Sequence, residues 1–412
     1  MMFTTLRLRT YFYALGVLCI CAAGFFALAH AQGTAVDSEA RAIVASCAKS
    51  GTDHSACYES EVPSLYPKYD VASIFDIVRE IRQLDPSYQF CHVLGHKIGE
   101  RVVAEDPDKW VDAIPLNPTD GLCSNGFIHG VIGGRFRSEV LDDATIQKFM
   151  PDFKQACEAH DTWQPSDLDR AMCYHAMGHL FDYITNADIT KALSLCTEVA
   201  PSDYQRVCVQ GVFMQIYQPL EPDDYALIAQ MPVKPSTTTV QTYCARFSSD
   251  TVAQGACIEE SWPFQQPHIT DGTAVQKLCS WEPNSEEAGI CYISMSSIIG
   301  RMTLGNPTQA VQACSQFPAD QMGTCFSYSA EAVLEESRTD ASPAIALCNR
   351  APESVAGECL STLVSHAQFM FGSNEGEMRS FCAALPSAYQ EGCGTGNGGP
   401  VAPIISSDTI ER

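Results

Sequence analysis

Paired cysteines recur along this chain at a regular interval, and they restrict its fold more than any other feature. The second members of the last five pairs repeat with a period of 34 residues. A period of this length is typical of helical hairpins stacked one on the next. We therefore predict an all-α fold of disulfide-linked hairpins, an α-solenoid with a period of about 34. The regular pairs are Cys196/Cys208, Cys244/Cys257, Cys279/Cys291, Cys314/Cys325, Cys348/Cys359 and Cys382/Cys393.

The residues of one repeat favour two helices joined by a short turn. A first helix begins at Pro307, a residue that the first helical turn accepts, and runs to Cys314. Pro318 then opens a longer second helix that continues through Cys325 to about Glu336. Strand signals are nearly absent, because no sustained apolar–polar alternation occurs.

Each repeat places one cysteine at the end of its first helix and the other early in its second helix, where antiparallel neighbours lie close. A bridge within the pair closes a loop of about a dozen residues and contributes about 3 kcal/mol in the chain-entropy account. Sequence alone does not prove this connectivity. The same local rule predicts the bridges Cys47–Cys57 and Cys157–Cys173, and Cys91 and Cys123 are then left to pair with each other.

The first residues predict export. Arg7 and Arg9 precede an apolar run over 11–28, and the segment from Ala29 to Ala31 offers a small-x-small cleavage site. The run is also long enough to remain as an uncleaved anchor. Eighteen of the 20 cysteines follow this segment, and an oxidising compartment is where so many thiols would pair. We expect a periplasmic or extracellular protein, soluble after the signal.

The net charge of the chain limits the classes of partner that it can bind. A net charge of −24 disfavours nucleic acid and anionic membrane surfaces as partners.

The spacing of the cysteines divides the chain into regions. We expect a signal peptide at 1–31, a histidine-bearing helical region at 32–225, regular hairpins at 226–393 and a disordered tail at 394–412. The surface of the solenoid would by default bind an unidentified protein or small molecule.

Five of the ten histidines lie in one equivalent segment, within six residues after a second-helix cysteine. The chain reads CHVLGH from Cys91, CSNGFIHG from Cys123 and CYHAMGH from Cys173, so two HxxGH motifs flank one GxxHG. In the next unit, CVQGVFM from Cys208, a methionine stands where histidine stood. The five candidate metal ligands are His92, His96, His129, His175 and His179.

The spacing of these histidines predicts a transition-metal site. Histidines at positions i and i+4 share one helix face, and Glu100 continues the face of His92 and His96. Imidazoles suit Zn, Cu, Fe or Ni, and Glu100 could add an oxygen ligand or act as a base if the metal is catalytic. Two alternatives remain. The histidines could form a metal-free acid–base or pH-sensing cluster, or they could reflect the common ancestry of the repeats without a present function. A binding scaffold without catalysis is the rival function.

The number of histidines raises a geometric question. Five nitrogens exceed the ligands of one tetrahedral zinc, so some would act from outside the first shell or two metals would bind. Because neighbouring helices pack roughly 8–10 Å apart, we expect the N-terminal units to curl into a closed bundle. Gly95 and Gly178 lie mid-helix, where glycine costs about 1 kcal/mol relative to alanine, which indicates close approach of another helix or a ligand.

Other polar residues carry weaker signals. Asp182 and Tyr183 could orient a ligand, and Arg135 and Arg137 could bind an anionic substrate beside the histidines. The acidic pairs at 223–224 and 259–260 are interpreted as solvated surface. The remaining histidines of the mature chain are interpreted as surface or packing residues: His54, His160, His268 and His366.

Overall fold

The structure, a computed structural model, describes residues 34–393 apart from 50, 52, 89, 138, 161–162, 266–267, 305, 337–339, 372–373 and 392. The predicted signal at 1–31 and tail at 394–412 lie outside this range. Within it the secondary structure is helical, and β-contact is limited to an isolated bridge between His160 and Trp163. The predicted all-α class is confirmed. None of the helices described here has the length and apolar character needed to cross a membrane.

Short and long helices alternate from α12 to α19. In chain order they are α1 (34–49), α2 (His54–Glu61), α3 (Val71–Leu84), α4 (His92–Val103), α5 (Trp110–Ala113), α6 (Gly126–Phe136), α7 (Asp143–Gln155), α8 (Asp167–Ile184), α9 (Ile189–Val199), α10 (Gln205–Tyr217), α11 (Pro222–Gln230), α12 (Val240–Cys244), α13 (Thr251–Glu260), α14 (Gly272–Cys279), α15 (Ser285–Met302), α16 (Pro307–Cys314), α17 (Met322–Glu336), α18 (Ser342–Asn349), α19 (Glu353–Phe371), α20 (Glu375–Ala384) and α21 (Ser387–Gln390). Short 3-10 turns lie at Pro63–Leu65, Pro107–Lys109, Ile114–Leu116, Leu122–Asn125, Ser202–Tyr204, Ala245–Phe247 and Trp262–Gln265.

The second helices of the hairpins pack against one another in chain order. Helix α4 contacts α6, α6 contacts α8, and α8 contacts α10. The series continues through α13, α15 and α17 to α19. Helix α19 also contacts α8, so this part of the array turns back on itself.

The hairpin predicted around residue 314 forms with one shifted boundary. Its first helix spans Pro307–Cys314, as expected, but the second begins at Met322 and not at Pro318. Residues 319–321 form a turn before the helix starts. The irregular stretches of the N-terminal half hold the additional helices α7 and α11.

All nine predicted bridges are present, with Cα–Cα distances between 4.7 and 5.7 Å. In most hairpins the bridge joins the end of the first helix to the early turns of the second. The bridge Cys91–Cys123 differs, since it links the residue before α4 to the turn before α6. It therefore holds together the starts of two histidine-bearing helices.

Candidate metal centre

Glycines bring α4 into backbone contact with α6, and α8 into backbone contact with α10. A β-carbon at Gly126 of α6 would lie 2.3 Å from the carbonyl oxygen of His92 in α4. In the second pair, a β-carbon at Gly178 of α8 would lie 2.1 Å from the carbonyl oxygen of Cys208 in α10. Real β-carbons do not approach oxygen this closely, so only glycine allows this packing. The close helix approach predicted from Gly178 is present.

The five predicted histidines meet in space, with His129 at their centre. Its ring centroid lies 5.1 Å from that of His92 and 5.3 Å from that of His96. On the other side it lies 5.8 Å from His175 and 5.2 Å from His179. Helix α6 packs between α4 and α8, so the imidazole of His129 contacts the histidines of both neighbours. The cluster thus forms through the middle helix.

Three of the imidazoles form a compact donor group. His92, His96 and His129 are buried, and each offers a ring nitrogen within 4.8 Å of those of the other two. The Nε2 atoms of His92 and His96 lie 2.9 Å apart. Nε2 of His129 is buried and has no hydrogen-bond partner among the described residues. An ion bound between the rings would supply that partner.

The other two histidines form a second group with residues that the sequence did not mark as ligands. Nε2 of His175 lies 3.2 Å from Nε2 of His179 and 2.9 Å from the Sδ atom of Met214. Nδ1 of His179 is 2.7 Å from Oε1 of Gln215, to which it donates a hydrogen bond. The repeat position of Met214 was the available signal, because it matches those of His129 and His179.

Burial keeps most of these imidazoles neutral. Desolvation, and then the neighbouring imidazoles, lower the pKa of His92, His129 and His175 well below the usual value. Burial lowers the pKa of His179 to about 4. Neutral imidazole is the form that binds a metal, so these four rings do not have to lose protons before binding at neutral pH.

A buried carboxylate stands behind the triad. Oε1 of Glu221 lies 3.6 Å from Nδ1 of His96 and 3.0 Å from Nζ of Lys97, and Oε2 pairs with Arg137. Burial raises the pKa of Glu221, but His96 and the two cations outweigh it and hold the carboxyl ionised. The carboxylate of Glu100, predicted as a ligand or base, pairs with Arg137 at 2.7 Å and Lys97 at 3.1 Å.

A cavity opens beside the histidines. Tyr183 and Arg137 line it, as do His129 and His179. Asp224 also lines it and accepts a hydrogen bond from the Tyr183 hydroxyl. The cavity therefore combines a cation, a phenol and imidazoles, which suits a small polar ligand.

The interpretation of two acidic pairs as solvated surface is wrong for three of their four members. Asp224 is 6% exposed because its carboxylate caps the start of α11 through the backbone N–H groups of Leu220 and Glu221. Glu259 is 1% exposed and pairs with Arg206 at 2.6 Å, and Glu260 is also buried. Asp223 is exposed as expected.

The remaining candidates lie apart from the donor groups. Asp182 is buried with no hydrogen-bond partner for either carboxylate oxygen among the described residues, and burial raises its pKa well above the usual value. Arg135 pairs with Glu139 and does not line the cavity.

The four remaining histidines also lie apart from the donor groups. His54 and His268 are at the surface. His160 donates its Nδ1 proton to the carbonyl oxygen of Glu158. His366 is buried between Glu331 and Glu335.

No family model, curated protein or solved structure matches the chain. The donor atoms themselves indicate the chemistry. Neutral imidazole nitrogens in a buried group suit late transition metals such as Zn, Cu, Fe or Ni. Glu221 behind His96 resembles the outer-shell carboxylate that orients many metal-bound histidines.

Proposed function

We propose that this protein is an exported transition-metal-binding protein whose ligands are centred on His92, His96 and His129. Nine disulfides fit an oxidising compartment outside the cytosol. They also fix the helices that present the histidines. A rigid scaffold of this kind holds ligands at set positions, as selective metal binding requires.

The observation that carries this proposal is the position of His129. Its ring contacts four other imidazoles, while its buried Nε2 has no hydrogen-bond partner among the described residues. A purely structural histidine in a core normally satisfies both ring nitrogens, because a buried unpaired polar atom costs about 1–3 kcal/mol. A metal bound to that nitrogen removes the penalty and explains why so many imidazoles converge.

The surrounding charges support the same proposal. Neutral imidazole ligands do not offset the positive charge of a bound cation. Because the site is buried, a nearby anion is needed to balance that charge. Glu221 supplies one at 3.6 Å from His96 and can hold the ring with the opposite nitrogen directed at the metal.

A metalloenzyme is the second candidate function, favoured by the cavity beside the histidines. Its lining adds the guanidinium of Arg137 and the phenol of Tyr183 to the imidazoles, and these groups would orient a small polar substrate. The metal would then polarise a substrate or generate hydroxide. Glu100 stays a prediction as base or ligand, since either role requires its carboxylate to leave Arg137 and Lys97.

Metal analysis of purified protein tests the proposal. The chain is produced in an oxidising compartment without a polyhistidine tag, and its metal content is measured by elemental analysis. We expect a stoichiometric transition metal that is lost in His96→Ala and His129→Ala while the far-ultraviolet helical signal persists. His54→Ala is the control, because His54 lies at the surface and its Nδ1 is hydrogen-bonded to Asp85. Metal-free protein from metal-replete cells would contradict the proposal and favour a binding scaffold.

A further inference from the structure

Met214 occupies a position in its hairpin that carries histidine in two preceding units. It lies six residues after Cys208, as His129 lies six residues after Cys123 and His179 after Cys173. The substitution keeps a side chain with a metal-binding atom at that position. It also changes the type of donor, from a nitrogen of borderline softness to a soft thioether sulfur.

The side chain of Met214 is directed into the cluster. Its Sδ atom lies 2.9 Å from Nε2 of His175, and the residue is 3% exposed. Met214 lines the same cavity as His179. The Nε2 atom of His179 lies 3.2 Å from that of His175, so two imidazole nitrogens and one thioether sulfur form a group.

Hydrogen bonding prepares His179 as a ligand. Its Nδ1–H donates to Oε1 of Gln215, which leaves the lone pair of Nε2 free on the side of His175. Gln215 follows Met214 directly in α10, so the two residues place the ligand and its orienting partner on the same helix. This arrangement matches the outer-shell contacts that fix metal-bound histidines.

We propose that His175, His179 and Met214 form a second metal site, selective for copper(I), beside the triad of His92, His96 and His129. This inference extends the proposed metal-binding function, and His129 contacts the ligands of both sites. Thioether sulfur is a ligand that selects Cu(I), whereas protein zinc sites use thiolate, imidazole and carboxylate. All three ligands are uncharged, which suits a monovalent ion in a buried site.

Anaerobic titration of the full chain with Cu(I), against a chromophoric Cu(I) chelator, tests the second site. Met214→Leu removes the sulfur and keeps a buried apolar side chain of similar volume. We expect its Cu(I) affinity at one site to fall by at least roughly tenfold, the lower limit for losing even an outer-shell partner. Copper-edge X-ray absorption should show sulfur scattering in the wild type and none in Met214→Leu, because all the cysteines of the described chain are disulfide-bonded. Zinc binding at the triad should be unchanged.

Met295→Leu is the matched control, since Met295 is fully buried in α15. It should leave the Cu(I) affinity and the sulfur signal unchanged. Equal Cu(I) affinity in the wild type and Met214→Leu, or absence of sulfur scattering from the wild type, would overturn the copper site alone if the triad still binds zinc. A wild-type protein that binds neither metal would overturn this inference together with the proposed function.

Discussion

Gly130 lies so close to the backbone of His96 that a β-carbon on it would be 2.1 Å from the His96 carbonyl oxygen. This contact sets the distance between α4 and α6 at the level of the metal ligands. His129 directly precedes Gly130, so the glycine that allows the close helix contact is next to the ligand that this contact positions. The position of the His129 imidazole therefore depends on the absence of a β-carbon at Gly130.

Gly130→Ala should separate α4 from α6 and weaken metal binding. Overpacking of this kind typically costs about 1–3 kcal/mol, and the displaced helix would move His129 away from His92 and His96. Denaturant unfolding and metal titration measure the two effects. Gly289→Ala is the control, because nothing lies within 4 Å of a β-carbon there, in the second turn of α15. That change should raise stability by up to about 1 kcal/mol. Unchanged metal affinity in Gly130→Ala would contradict this account.

Glu221→Gln should lower metal affinity by roughly 10- to 100-fold, the usual effect of losing an outer-shell carboxylate. The substitution keeps the shape of the side chain but removes the anion 3.6 Å from His96. Lys97 and Arg137 keep Glu100 as a partner, so the fold should persist. Competitive metal titration checks the result. Asp223→Asn, an exposed change two residues away, should have no effect. A Glu221→Gln protein with wild-type affinity would exclude this role.

Removing the bridge Cys91–Cys123 should affect the metal site as well as stability. The bridge closes a loop across 32 residues, worth about 4 kcal/mol in the chain-entropy account, and it ends next to His92. We expect Cys91→Ala with Cys123→Ala to lower both the free energy of unfolding and the metal affinity. Cys382→Ala with Cys393→Ala, which opens the last bridge, should lower stability alone. Equal metal affinity in the two variants would show that the first bridge does not position the ligands.

Glu282 should make the stability of the chain depend on pH. Burial, and then Glu259 and Glu287, raise its pKa from near 4.5 to about 10, with Arg206 acting in the opposite direction. The folded chain thus holds a proton that the unfolded chain releases above about 4.5. The contribution of this group to stability is therefore complete below about pH 4.5 and declines as the pH rises towards 10. One group contributes a slope of at most about 1.4 kcal/mol per pH unit.

Glu282→Gln tests this linkage, because glutamine cannot ionise. The variant should gain more stability over the wild type at pH 8 than at pH 5, measured by denaturant unfolding at both values. Glu286→Gln, an exposed change near the start of α15, is the control and should give the same small difference at both. A gain for Glu282→Gln that does not vary with pH would contradict a raised pKa.

Eight of the nine bridges could be predicted from the sequence because each joins cysteines that one short hairpin already brings together, and Cys91–Cys123 followed as the pair left over. The candidate ligands were also visible, since all five histidines lie within six residues after a cysteine and four of them form i,i+4 pairs. The way they converge was not visible. We expected a closed bundle of the first and third units, whereas α6 lies between α4 and α8 and His129 contacts both sides. Glycine contacts shorten the helix separation on which that expectation rested.

Two features of the site could not be predicted for physical reasons. Glu221 and Asp224 belong to an acidic stretch, and their burial depends on Arg137 and Tyr183, which are distant in sequence. The turn before α6 places Cys123, Ser124 and Asn125 in succession at positive φ, between 49° and 60°. None of these residues is glycine, so composition gave no signal for the left-handed turn that directs α6 towards α4.

Anomalous diffraction from crystals of the metal-loaded protein tests the central claim most directly. At the absorption edge of the ion found by elemental analysis, we expect a peak about 2.0–2.3 Å from an imidazole nitrogen of each of His92, His96 and His129. The peak should be absent from His129→Ala crystals. A wild-type map with no peak among these three rings, or with the ion bound only at the protein surface, would contradict the account.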